Sequence, residues 1–220
     1  PIVWGGAPAI FDMRHGTTPM GAVETAMIDA AYAQVGQSLG LPTHAYLGAS
    51  DAKLVDAQAG LESGVTAVIG ALAGINMISG AGMLDFLACH SVEKLVIDAE
   101  AIAMAQRLLA GMQPRTDTLA TGLVAGVGFD GAFLKHKLTR QLFRQEQLLP
   151  SAVIDRGSIR AWQATGGEDA FARARRRAAQ LAATYARPAL DPAQEAALRQ
   201  MMARLAAEAG MARLPALGAE

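Results

Sequence analysis

From residue 1 to about 112, short apolar runs alternate with longer segments in which apolar residues recur at helical spacing; beyond residue 113 only the helical period remains. The first 13 residues mix apolar pairs with Gly5, Gly6 and Pro8, which predicts a strand, a turn and a second short strand. Residues 14–17 read as a loop. Thr18 followed by Pro19 has the form of a helix N-cap with proline at the first helical position, and Val23, Met27, Ala30, Ala31 and Gln34 carry helical spacing to a stop near Gly40. Residues 42–48 predict a second strand, 49–53 a polar turn and 55–73 a helix. A third unit follows: 75–80 as strand, 82–90 as loop, and Ser91 capping a helix that stops at Gly111, with Glu93 in the first turn where the helix dipole favours an anion.

Strands that alternate with long helices imply right-handed βαβ crossovers and a parallel sheet, so the class is α/β. The strand signal ends after Gln113, and residues 119–127, 132–148, 159–186 and 194–209 all predict helices, the last capped by Asp191-Pro192. The expected organisation is therefore a βα-repeat domain over 1–112 and a helical extension over 113–220. The basic run Arg173-Ala174-Arg175-Arg176-Arg177 reads as a solvated helix face. Residues 65–84 carry no charge over about the length that spans a bilayer. Gly70, Gly74, Asn76, Ser79, Gly80 and Gly82 interrupt that run, which suits a buried helix, a turn and a buried strand; no membrane partner is expected.

Composition adds constraints. With 220 residues, 52% of them hydrophobic and 18% charged, the chain can bury a sizeable core and is too apolar for disorder. A formal net charge of −1 gives no field for a phosphate backbone, so no nucleic acid partner is expected. Cys89 is the single cysteine, which rules out an intrachain disulfide and suggests a cytoplasmic setting. The first residues lack a starting Met and a signal-peptide core, so the sequence reads as beginning inside a longer protein. His15, His44, His90 and His136 have no metal-ligand spacing, and no metal is expected. Gly80-x-Gly82 lacks the third glycine of a dinucleotide fingerprint, and the absence of a Gly-rich loop opening a helix weakens a phosphate-binding barrel.

Six groups of residues fall in a telling order: Pro8 to Arg14 (PAIFDMR); Ser50-Asp51-Ala52-Lys53 with Asp56-Ala57-Gln58-Ala59-Gly60-Leu61-Glu62; Gly80-Ala81-Gly82-Met83-Leu84; Leu95 to Glu100 (LVIDAE); Thr139 with Phe143-Arg144; and Asp155-Arg156 with Trp162. Together, over residues 1 to about 185, they resemble the trimethylamine methyltransferase (MttB) superfamily. The resemblance implies the C-terminal part of a TIM (β/α)8 barrel followed by a helical tail, in a protein roughly twice this length. It further implies methyl transfer from an amine to the Co(I) of a corrinoid (cobalamin) carried by a partner protein; a homo-oligomer is expected as well, since half a barrel on its own should aggregate, dimerise or need its missing half. Members that contain pyrrolysine use trimethylamine, and that residue would fall near residues 50–55; here every residue of the turn is standard. The chain therefore resembles the non-pyrrolysine branch, whose substrates are quaternary amines such as glycine betaine. Three positions depart from the family pattern: Leu138 before Thr139 and Ala132 stand where histidines are usual, and Leu61 where tyrosine is usual.

In such a barrel the reacting groups lie at the C-terminal ends of strands and in the loops that follow. A quaternary ammonium leaving group departs as a neutral tertiary amine, so no general acid is needed and the protein's task is to hold the cation and aim one methyl. On that chemistry Asp12 and Asp51 are the candidate catalytic carboxylates. Phe11 and Tyr46 are candidate π faces, and Arg14 or Lys53 a partner for a substrate carboxylate. Ser50, Gly80 and Met83 are expected around the substrate, with Gln58 and Glu62 on one helix face. Structural readings compete: Asp12 with Arg14 as a loop ion pair, Ser50 and Asp51 as helix caps, Phe11 and Tyr46 as core, and Met83 as core filler. The functional alternative is a non-catalytic homologue that binds an amine or a partner protein. Half a barrel would also expose two strand edges.

Overall fold

Three strands pair in parallel in the spatial order β1 (Trp4–Gly5), β2 (Thr43–Ala45), β3 (Met77–Ile78), with Trp4 opposite Thr43 and His44 opposite Met77. They belong to a computed structural model that describes residues 1–114, 119–186, 188–211 and 213–214. Each strand is followed by a helix: α1 (Val23–Ser38), α2 (Ala57–Leu72) and α3 (Val92–Ala110). Between β3 and α3 a small antiparallel hairpin, β4 (Met83–Leu84) and β5 (Cys89–His90), rises within the expected loop. Helices α4 (Thr121–Val127), α5 (Lys137–Glu146), α6 (Ile159–Ala164) and α7 (Ala170–Ala183) complete a first compact unit, Pro1–Ala182; the second, Ala183–Glu220, contains α8 (Pro192–Glu208). Among the described residues, no helix is long and apolar enough to cross a membrane.

The alternation of β2 decides which face is core. Ala45 and Leu47 point to the helices and pack with Ala26 and Ala33 of α1 and with Ile75. Fully burying Leu47 contributes roughly 2 kcal/mol. His44 and Tyr46 point the other way, to a face with no helix among the described residues, where His44 Nε2 lies 2.7 Å from Ser79 Oγ and the His44 and Tyr46 rings meet edge to face at 4.9 Å. Small residues set the helix spacing: a Cβ on Gly36 of α1 would fall 2.6 Å from the Trp4 ring. The helical part ties back to α3 through Glu100, which accepts from the Ser151 amide at 3.2 Å, and through Arg107, which donates to the Glu146 carbonyl at 2.7 Å.

Several expected elements are displaced. α1 starts at Val23, with Ala22 as N-cap, and not at Pro19, because the amides of Met20 and Gly21 are drawn onto the Asp51 carboxylate and Thr25 Oγ1 donates to the Pro19 carbonyl. The second strand expected before Met13 is reduced to one antiparallel bridge between Asp12 and Thr17. The helix expected over 132–148 begins with a 3₁₀ turn at Phe133–Lys135 and restarts at Lys137, where the His136 ring accepts from the Leu138 amide. The helix expected over 159–186 breaks at Gly166 and Gly167, both at positive φ, against the Trp162 ring. Ser91 and Asp191 cap α3 and α8 as expected.

One core position conflicts with its surroundings. Asp29 shares a face of α1 with Ala26 and Ala33, is buried, and neither carboxylate oxygen has a hydrogen-bond partner among the described residues. Desolvation pushes its carboxyl up to about 6. The folded state thus holds the proton more tightly than the unfolded chain, so stability falls as pH rises from about 4 to about 6 and stays reduced above that. Asp29→Asn removes the charge and keeps the shape. Urea unfolding at pH 7 should find the variant about 1–3 kcal/mol more stable than the wild type, with the gap closing toward pH 4; a pH-independent gap would refute the assignment.

Candidate functional site

The loops that follow the parallel strands converge on a cleft of about 820 Å³. The β1–α1 loop supplies Phe11, Asp12, Met13, Arg14 and His15, the β2–α2 loop Asp51 and Lys53, α2 Gln58 and Glu62, α1 Glu24, and the loop between β4 and β5 Phe86. Of the eleven residues singled out from sequence, seven meet here: Phe11, Asp12, Arg14, Asp51, Lys53, Gln58 and Glu62. Tyr46 lies on the helix-free face of the sheet. Ser50 is buried behind the cleft, where its Oγ donates to Glu62 at 2.6 Å. Gly80 packs against backbone, with the site of its absent Cβ 2.6 Å from the Leu47 carbonyl oxygen, and Met83 belongs to β4 with its carbonyl accepting from the Ser50 amide at 3.0 Å.

Most of the cleft's carboxylates are already committed. Asp51, 8% exposed, accepts from the Met20 amide at 2.8 Å and the Gly21 amide at 2.9 Å, one on each oxygen. Burial raises its pKa, and those two amides pull it down. Neither Ser50 nor Asp51 caps α2; Asp56 does, accepting from the Gln58 and Ala59 amides. Glu62 receives Ser50 Oγ, the Asp51 amide at 2.7 Å and Gln58 Nε2 at 2.8 Å. Asp12 is clasped by Arg14, whose Nε and Nη2 lie 3.1 and 2.9 Å away, and by His15 at 3.1 Å. The Arg14 side chain, then His15, then the Arg14 amide hold the Asp12 carboxyl well below the ordinary carboxylate range. Glu24, in the first turn of α1, lines the cleft with no hydrogen-bond or ion-pair partner among the described residues.

Two residues that carry this site, Glu24 and Phe86, were not singled out from sequence. Glu24 gives no signal in the sequence because it occupies an ordinary position of a helical stretch. Phe86 was hidden because its position depends on an unusual backbone: Asp85, Phe86 and Leu87 are all left-handed, with φ of 49, 57 and 71°. Each such non-glycine residue costs on the order of 1 kcal/mol. The turn is held by the Asp85 amide donating to the Ala52 carbonyl at 3.2 Å and by a Lys53–Asp85 ion pair at 3.0 Å, and Lys53 Nζ stands 4.0 Å from the Phe86 ring centroid. Behind it, the Gly82 amide donates to Asp98 Oδ2 at 2.7 Å, and the same oxygen takes the buried Lys94 ammonium at 2.5 Å.

Three βα units that open a polar cleft between their strand-end loops define an α/β-repeat domain whose site is carried by loops and not by its core. The chain belongs to the trimethylamine methyltransferase (MttB) family: the family described by that name matches residues 1–210. A trimethylamine methyltransferase of Methanosarcina thermophila is 40% identical over 170 residues, 76% of this chain and 34% of that protein. A glycine betaine methyltransferase of Desulfitobacterium hafniense strain Y51 is 34% identical over 211 residues, 96% of this chain and 44% of its own length. Another trimethylamine methyltransferase, from D. hafniense DSM 10664, is 32% identical over 213 residues, 97% of this chain and 42% of that protein. The chain therefore spans less than half the length of these relatives.

The geometry assigns Asp51 a holding role that a neutral amide cannot fill, because Asn offers one acceptor oxygen to two N–H donors. Asp51→Asn should cost about 1–3 kcal/mol in chemical unfolding. Gly80→Ala should cost a similar amount, about 1–3 kcal/mol, because its Cβ meets backbone atoms that cannot rotate away. Wild-type stability in either variant would contradict these contacts.

Proposed function

We propose that the chain is part of an amine methyltransferase in which this cleft holds a quaternary or tertiary amine, a betaine by preference, for transfer of one methyl group to a corrinoid protein. The observation that carries the reading is the charge of the cleft: four carboxylates, Asp12, Glu24, Asp51 and Glu62, face Arg14 and Lys53, and Glu24 alone of the four is free to meet a cation. Membership of a family whose named relatives act on trimethylamine and on glycine betaine supports the same substrate class. The turn after β2, which contains only standard residues, favours the betaine side. We also propose that the three βα units are consecutive sectors of a (β/α)8 barrel. The short parallel strands, the helices on one face and the polar, helix-free opposite face of His44, Tyr46 and Ser79 support it.

In this reading Glu24 neutralises the substrate cation, and Phe11 lends apolar surface at the rim. Arg14, held flat by Asp12, presents its remaining guanidinium N–H groups to a substrate carboxylate. A corrinoid delivered by a partner supplies the nucleophile for the methyl group. The rim fits such a delivery from outside, since Phe11 is 61% and Met13 88% exposed. The chain's own work is positioning: the Asp51 clasp fixes the first loop against the second, so the cation and the methyl keep one orientation. Leu138 and Ala132 lie in the helical part, outside the residues that line the cleft.

The test is methyl transfer to Co(I)-cobalamin from a panel of glycine betaine, other betaines and trimethylamine, using the full-length protein. Transfer from a betaine is expected, and Glu24→Gln should lower kcat/KM by about three- to ten-fold, the loss of one charge pair in a partly exposed site. Amine binding with no transfer from any donor would leave the non-catalytic homologue in its place.

A further inference from the structure

The left-handed turn at residues 85–87 presents an aromatic ring to the cleft, and that ring already carries a cation. Lys53 Nζ stands 4.0 Å from the Phe86 centroid, within the distance at which an ammonium is attracted to a π face. The ring is one of several partners of that ammonium. Its side chain is 59% exposed, it hangs on a flexible four-carbon stem, and it has two further partners in reach, the Asp85 carboxylate at 3.0 Å and the Asp51 carbonyl at 2.5 Å. Both residues line the cleft together with the unpaired Glu24.

We propose that the Phe86 ring is the seat of a quaternary ammonium ligand and that Lys53 is its resident, displaceable occupant, which makes the pair a specificity element of the site; the proposal rests on the amine-binding reading of the cleft and deepens it. The physical reason for exchange is a difference between the two cations. A primary ammonium is strongly hydrated and has three N–H donors, which Asp85, the Asp51 carbonyl and water satisfy once it leaves the ring. A quaternary ammonium has no donor, is weakly hydrated and gains more from a π face than from any hydrogen-bonding group. Displacement therefore trades a dispensable contact of Lys53 for the ligand's best available one. A cation that still carries N–H groups gains less, so the arrangement favours full alkylation.

The strained backbone is consistent with this use. Three successive left-handed residues, none of them glycine, persist only where surrounding contacts over-determine them, and here those contacts include the Lys53–Asp85 pair. The Asp85 amide's hydrogen bond to the Ala52 carbonyl, at 3.2 Å, does not involve the lysine side chain, so the turn keeps Phe86 in place during the exchange and in Lys53→Met.

Calorimetric titration of the full-length protein with tetramethylammonium, and with 3,3-dimethyl-1-butanol as an uncharged control that carries a trimethyl-substituted quaternary carbon, tests the proposal. Lys53→Met should bind tetramethylammonium about two- to five-fold more tightly than the wild type, and Phe86→Leu should weaken binding by at least that factor. Phe86→Tyr, which keeps the π face, should bind as the wild type does and so controls for folding, and the neutral alcohol should distinguish none of the variants. Unchanged or weaker binding by Lys53→Met, wild-type affinity in Phe86→Leu, or no binding of tetramethylammonium to any form would overturn it. Because binding alone is read, a protein that binds in this pattern yet transfers no methyl group would sink the transferase reading and leave this one standing.

Discussion

The buried carboxylate of Asp51 is the contact on which the cleft depends. It sits in the β2–α2 loop and takes the amides of Met20 and Gly21, 31 and 30 residues back along the chain, one on each oxygen. A buried carboxylate without donors would be expensive, and buried amides without acceptors likewise, so each side of the clasp answers the other's cost. The consequences are local and immediate. Residues 19–21 follow a non-helical path, α1 is delayed to Val23, and the side of α1 that carries Glu24 is brought to the cleft. Glu62 extends the clasp by accepting from Ser50 and from the Asp51 amide, and the space it fills is the space a Cβ on Gly21 would need.

A second clasp does the same for the third loop. Asp98 on α3 accepts from the Gly82 amide and from Lys94, and Lys94 also donates to Ser63 of α2 at 2.7 Å, so two helices and one loop share a buried ion pair. Such a pair adds little net stability, since desolvation of both charges offsets most of their attraction; its effect here is geometric. It holds the root of the turn that carries Phe86, while backbone hydrogen bonds from Ser50 to Met83 and from Asp85 to Ala52 bind that turn to the second loop. The three loops thus form one connected surface, and the carboxylates that hold it together are those that face inward and not those that face the cleft.

This division of labour explains why the carboxylates that stand out in the sequence differ from the one free to act. Asp12 and Asp51 flank loops in the manner expected of site residues, yet Arg14 and His15 occupy the first and backbone amides the second. Tyr46 lies outside this cleft: just past β2 it alternates with Leu47, and since Leu47 faces the helices, Tyr46 faces the opposite side of the sheet.

What the sequence determined by itself was everything that short-range physics controls. Hydrophobic periodicity marked the three βα units and the helical stretch beyond them, Ser91 and Asp191-Pro192 marked helix starts where a side-chain oxygen meets amides two or three residues on, and the ordered strings marked the family. Local glycine geometry lay at the limit of that legibility, for the Gly166-Gly167 break was readable in principle and hidden by strong helical periodicity on both sides. Only the tertiary structure decided where α1 begins, which cleft carboxylate stays unpaired among the described residues, that Asp29 is buried with no hydrogen-bond partner among them, and that a left-handed turn turns Phe86 toward Lys53. Each of these is set by partners distant in sequence, and a residue's own type says what it can bond to, not which donors the fold brings within 3 Å of it.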